Sequence, residues 1–143
     1  MKIKIAEKDS EIMCCFETMK QLRTHLKKED FLSQMHKQEE SGYLLAYVEE
    51  NNKAVSVAGF RISECLAFGK FLFVDDLVTD ENERSKGYGD QLFNWLQDFA
   101  IKNKCKEFHL DSGVQRFSAH RFYFRKRMSI SCYHFSLIFD DQH

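Results

Sequence analysis

One stretch of this 143-residue chain restricts its folding more than any other. The apolar run Phe71-Leu72-Phe73-Val74 leads through Asp75-Asp76-Leu77-Val78-Thr79 toward the turn Arg84-Ser85-Lys86-Gly87-Tyr88-Gly89. A helical apolar stripe follows at once, with Leu92, Trp95, Leu96 and Phe99 on one side and Asp90, Gln91, Asn94, Gln97 and Asp98 on the other. The pattern predicts a strand, a short loop, a glycine turn and an amphipathic helix over residues 87–102. Two glycines in the turn let the backbone approach a ligand closely. The free amides and dipole of the helix start favour an anion, and Arg84 and Lys86 add positive charge. The arrangement suits a pyrophosphate.

Two commoner phosphate loops do not fit. A dinucleotide fingerprint needs a third glycine, and Leu92, followed by Phe93, stands where it would fall. The chain also lacks the Gly-Lys-Ser/Thr ending of a P-loop.

Alternation and helical spacing organise the rest. Residues 2–7 alternate as a first strand, and Ser10 is placed to cap a helix reaching about residue 27. Asp30 is placed to cap a second helix ending near Ser41-Gly42. Residues 43–48 and 54–62 predict a hairpin around the polar turn 49–53, and residues 70–79 the central strand. A short strand over 107–111 carries Phe108 and Leu110 on one face and His109 and Asp111 on the other. A basic helix over about 118–126, a last strand over 129–139 and a frayed acidic tail complete the expectation. Residues alone therefore predict a mixed α/β fold, mostly antiparallel and flanked by helices, with a strand–helix–strand crossover after Thr79. The length points to one domain over 1–143.

The motif pair then carries a resemblance. Arg-x-x-Gly-x-Gly after a strand ending Asp-Asp-Leu-Val-Thr resembles motif A of the GCN5-related N-acetyltransferases. Ala119-x-x-Phe122-Tyr123, downstream, is similar to a second helix motif of that family. The resemblance implies the acyl-CoA N-acyltransferase fold, in the order β-α-α-β-β-β-α-β-α-β, with splayed fourth and fifth strands. It implies acetyl-coenzyme A (acetyl-CoA) as donor and direct transfer to a primary amine in a ternary complex. It places the pyrophosphate on Arg84, Ser85, Lys86, Gly87, Tyr88 and Gly89, and pantetheine along Leu77, Val78 and Thr79. It also makes Tyr123, beside the cofactor sulfur, the proton donor to the departing thiolate.

Such a reaction needs a base, because an alkyl ammonium with a pKa near 10.4 must lose a proton before it attacks. Asp75 and Asp76 are the carboxylates nearest the strand end, and alternation puts them on opposite faces. Asp76 is the favoured base; His109 and Asp111 offer an alternative on the neighbouring strand. The chain departs from the family pattern after Tyr123, where Phe124-Arg125-Lys126-Arg127-Met128 replaces a Gly-Phe ending, and at Arg116, where Asn is frequent.

Charge and cysteine usage bound the partners. A formal net charge of −1 argues against wholesale binding to nucleic acid or anionic membrane, despite the basic segment His120-Arg121-Phe122-Tyr123-Phe124-Arg125-Lys126-Arg127. Five cysteines, with Cys14 and Cys15 adjacent, Cys65, Cys105 and Cys132 scattered and no Cys-x-x-Cys, read as reduced thiols of a cytoplasmic protein. No metal is expected, since His109, His120 and His134 lack metal-ligand spacing. No stretch approaches the ~20 apolar residues of a membrane span. An acyl-CoA-sensing module and a nucleic-acid-binding protein presenting its basic helix are the competing readings. The apolar final strand would need covering, and a homodimer is one way to cover it. The acceptor amine itself is not legible.

Overall fold

A computed structural model describes residues 2–139. The chain divides into two units, Met1–Leu110 and Asp111–His143. The acidic tail beyond residue 139 lies outside the described residues.

In the first unit a five-stranded sheet runs in the order β1-β2-β3-β4-β5. The strands are β1 (Lys2–Ile5), β2 (Leu44–Glu50), β3 (Lys53–Cys65), β4 (Gly69–Thr79) and β5 (Glu107–Leu110). The first four pair antiparallel in sequence order, and β5 joins β4 in parallel. The β2–β3 hairpin turns on Asn51 and Asn52, both at positive φ, as a tight hairpin turn requires. A chain without proline meets that demand with asparagine, which tolerates this region better than most residues.

Helices cover both faces of the sheet. On one face α1 (Asp9–Cys14), α2 (Phe16–Leu22) and α3 (Lys28–Glu39) pack Ile12, Phe16, Met19, Phe31 and Met35 against Tyr43, Leu45, Tyr47 and Val57. On the other, α4 (Tyr88–Lys102) buries Leu92, Leu96 and Ala100 against Ala58, Phe60, Leu72 and Val74. Phe60 is met edge-on by Trp95 and Phe99, with centroids 6.2 and 5.5 Å away. The stripe read from sequence over 87–102 is therefore the core face of α4.

The helix ends differ from expectation. The first predicted helix is broken at Cys15, whose amide bonds back to Ile12 O at 3.0 Å, and α2 ends at Leu22 rather than near 27. Lys8, not Ser10, is the N-cap of α1, and Glu11 accepts the amides of Glu7 and Lys8. Lys27, not Asp30, precedes α3; Asp30 sits in its first turn, where a negative charge suits the dipole. Arg23, the C-cap of α2, leaves helical geometry and reaches β4 through an ion pair with Asp76.

The second unit holds α5 (Phe117–Arg125). The strand expected over 129–139 is not formed: no ladder includes it among the described residues. Ile130, Tyr133, Phe135, Leu137, Ile138 and Phe139 are exposed. Alternating apolar residues supply strand propensity, but a strand also needs a paired edge. The edge on which dimerisation was argued is accordingly not formed. All five cysteines are free. No described helix is long and apolar enough to cross a membrane.

Candidate active site

Between the end of β4 and the short turn that leads to α4 lies Asp80, a buried hub. Its amide donates to Val55 O, and its carboxylate accepts from the Asn82 amide at 3.0 Å. It also accepts from the Gln21 amide group at 3.3 Å and faces Lys53 Nζ at 3.6 Å. The Asn82 amide is the main reason its carboxyl is held below the usual carboxylate range, with Gln21 and Lys53 assisting against burial. Capping by Asp80 winds Glu81–Glu83 into a short 3-10 turn.

The glycine turn follows. Arg84 is extended, Ser85 has φ +67° and Gly87 φ +85°, and the first α-helical bond of α4 is Gln91 N to Gly87 O. The amides of Tyr88, Gly89 and Asp90 therefore precede any intrahelical acceptor. Lys86 is drawn to Glu83 at 2.6 Å, which raises its ammonium pKa. A Cβ on Gly89 would stand 3.0 Å from Thr79 Oγ1, so the helix start abuts the strand end. Thr79 Oγ1 is in turn 2.9 Å from Ser56 Oγ.

Beside this turn, β4 loses one neighbour. It pairs with β5 only from Phe71↔Glu107 to Val74↔Leu110. Residues 75–79 have no ladder partner on that side among the described residues, while Asp76–Thr79 stay paired with β3. In such a strand alternate amides point away from the remaining partner. The strand is also bulged: Gly59 opposes Asp76 and Phe60 opposes Val74, leaving Asp75 without a counterpart.

The bulge overturns the expectation that Asp75 and Asp76 face opposite ways. Asp76 accepts from the Tyr43 hydroxyl and from Arg23 Nε, both at 2.8 Å. Asp75 accepts from Arg61 Nε at 2.8 Å, and its carbonyl from Arg23 Nη2 at 2.9 Å. Tyr43 lies over Gly59, and Arg61, two residues on, shares that face. Strict alternation fails because the extra residue rotates the strand by one position. Burial raises the Asp75 carboxyl, against the opposing pull of the Arg61 guanidinium.

His109 stands opposite Phe73, before the unpaired segment. It stacks on Phe68 with centroids 3.9 Å apart and meets Glu107 at 2.7 Å. In the second unit, Asp111 pairs with His134 at 2.9 Å. Tyr123 lies on α5 with its ring edge-on to Phe122 at 5.7 Å. Burial raises the pKa of its hydroxyl, while the Arg116 guanidinium opposes the shift.

Four contributors escaped the sequence reading: Tyr43, Gly59, Arg23 and Arg61. Gly59 had a signal. An isolated glycine inside an apolar strand marks a bulge or a close approach, and here it marks both. The two arginines carried none, since their partners are distant in sequence.

Comparison with known proteins agrees with this architecture. The profile described as "Acetyltransferase (GNAT) family" matches residues 9–128. The chain is 37% identical over 110 residues to the Uncharacterized N-acetyltransferase YhdJ of Bacillus subtilis (strain 168), covering 76% of this chain and 77% of that protein. Among solved structures it resembles the glucosamine-6-phosphate N-acetyltransferase of Arabidopsis thaliana, with a TM-score of 0.77 at 23% identity over 98% of this chain and 100% of that one. It also resembles the ribosomal-protein-alanine N-acetyltransferase of Brucella melitensis biovar Abortus 2308, with a TM-score of 0.82 at 12% identity over 97% and 100%. The profile spans most of the chain and the bacterial relative shares over a third of its aligned residues, so this protein belongs to the GNAT acetyltransferase family.

Proposed function

We propose that the protein is a cytoplasmic N-acetyltransferase that moves the acetyl group of acetyl-CoA to a primary amine by direct attack in a ternary complex. One observation carries the reading: the turn with left-handed Ser85 and Gly87 opens α4 beside a β4 segment that β5 leaves unpaired. The backbone of Arg84, Ser85, Lys86, Gly87, Tyr88 and Gly89 would receive the pyrophosphate. The segment Leu77, Val78 and Thr79 would pair with pantetheine, and an outward amide there would hold the thioester oxygen as negative charge develops.

The proton traffic falls to two residues in this reading. Asp76 accepts a proton from the acceptor amine, directly or through a water, as the nitrogen bonds to the acetyl carbon. A carboxylate has about four lone-pair sites, so Tyr43 and Arg23 leave room for that contact. Tyr123 gives its proton to the thiolate as the carbon–sulfur bond breaks. An ordinary tyrosine hydroxyl, with a pKa of about 10, is already protonated at neutral pH.

The acceptor amine stays open among small amines, amino acids, antibiotics and protein N-termini or lysines. The two solved relatives are named for a sugar-phosphate amine and a protein alanine. The fold thus carries different acceptors on one frame. A second reading, an acyl-CoA-sensing module without turnover, draws on the prior engagement of both Asp76 oxygens.

Calorimetric titration with acetyl-CoA, on the wild type and Gly89→Trp, tests the donor site. Binding in the micromolar range, lost in the variant, supports it; a folded wild type that binds nothing defeats it. Thiol release with glucosamine 6-phosphate, an alanine-initiated peptide, an aminoglycoside and spermidine separates enzyme from sensor.

A further inference from the structure

We propose that Tyr43 is a positioning residue for acetyl transfer: through Asp76, its hydroxyl holds the β4 bulge in the shape that aims the amides of residues 77–79. The inference rests on the acetyltransferase reading above and adds a residue to it.

Three observations converge on the bulge. Tyr43 is only 2% exposed, and its hydroxyl occupies space that exists because residue 59 has no side chain. That hydroxyl donates to Asp76 Oδ2, while Arg23 Nε donates to Oδ1. Arg23 continues to the Asp75 carbonyl, and Arg61 holds the Asp75 carboxylate. A residue near the start of β2, the C-cap of α2 and a residue of β3 therefore grip two consecutive residues of β4. A bulge disrupts its own ladder and needs outside partners to keep one geometry.

Packing alone does not account for the hydroxyl. A phenylalanine would fill the same apolar cluster without burying a polar group beside a carboxylate. Burial, and the adjoining Asp76, push the Tyr43 hydroxyl well above its ordinary pKa. It therefore remains a donor across the working pH range. The bulged residues immediately precede the segment proposed to meet the thioester, so their geometry is transmitted along the strand. A misplacement of about 1 Å can cost a catalyst about 100-fold.

Tyr43→Phe removes the hydroxyl and keeps the ring. Arg23→Lys, at a half-exposed site, tests the same strut from the other end. Each is assayed by acetyl-CoA calorimetry, by thiol release with the amine panel, and by hydrogen exchange at residues 75–79. Where the wild type uses no panel amine, basal acetyl-CoA hydrolysis is the turnover readout. The expected result is turnover lowered about tenfold or more, acetyl-CoA affinity within about twofold, and faster exchange at the bulge. Turnover within about twofold of wild type in both variants overturns the inference, as does a fall fully matched by lost acetyl-CoA affinity. A wild type that binds no acetyl-CoA defeats the acetyltransferase reading instead. Unchanged exchange in both variants then still overturns the strut.

Discussion

The hydroxyl of Tyr43 occupies the position that a side chain at Gly59 would fill. The pair belongs to neighbouring strands, with Tyr43 just before β2 and Gly59 paired to Leu45 within β3. Gly59 usually would weaken a strand, because it adds backbone entropy and packs nothing. Here the missing side chain admits a buried ring, and the ring delivers a donor to Asp76.

Gly59→Ala should therefore be severe for a change of one methyl. The new Cβ meets the buried Tyr43 ring and hydroxyl, which have a packed helix layer behind them. Overpacking of this kind costs about 1–3 kcal/mol, and the displaced Asp76 contact adds to it. Urea unfolding with an unchanged slope and a lower midpoint is the expected result. An unchanged midpoint would show that the ring moves aside freely.

Gly87→Ala should act through the backbone alone. Its φ of +85° is strained for a side chain, yet a Cβ there meets nothing closer than Gln91 Nε2 at 3.9 Å. The expected loss is about 1–2 kcal/mol, with weakened acetyl-CoA binding as the turn relaxes. Gly87→Asn should lose less, because asparagine tolerates left-handed geometry better. Thermal melts and calorimetry on the two variants check the ranking; equal losses would point to sterics instead.

His36 should confer a pH dependence on the contact between α1 and α3. Its Nε2 lies 2.9 Å from Asp9 Oδ1 and its Nδ1 3.4 Å from Glu39 Oε2. Glu39 first, and Asp9 with it, raise its pKa above the ordinary imidazole value. The folded chain thus binds the proton more tightly than the unfolded one. The stabilisation is fully present below the unfolded pKa of about 6.5 and is lost as pH rises through the higher folded value. The imidazole NMR titration should have a midpoint above about 6.5, and His36→Gln should lower the melting temperature more at pH about 5.5 than at about 8.5. A penalty independent of pH would remove the ion pairs as its cause.

Much of the frame was legible because its signals are local. The apolar stripe of α4, the glycine turn and the hairpin at Asn51-Asn52 each follow from spacing or backbone preference. Ends of elements were less legible. Arg23, the C-cap of α2, reaches Asp76 and Asp75, more than fifty residues away, and no periodicity encodes such a pairing. Residues 129–139 misled for the complementary reason: strand-like alternation does not specify a partner edge.

By itself, then, the amino-acid sequence determined the motif of β4, turn and α4 and the mixed α/β class, since these rest on short-range sterics and on which residues avoid water. Only the tertiary structure decided which way the residues at the end of β4 face. The extra residue in β4 turns Asp75 to the side of Asp76, and Gly59 lets Tyr43 reach in from the neighbouring strand. Register between strands is a property of the pairing, and one inserted residue reverses every face beyond it.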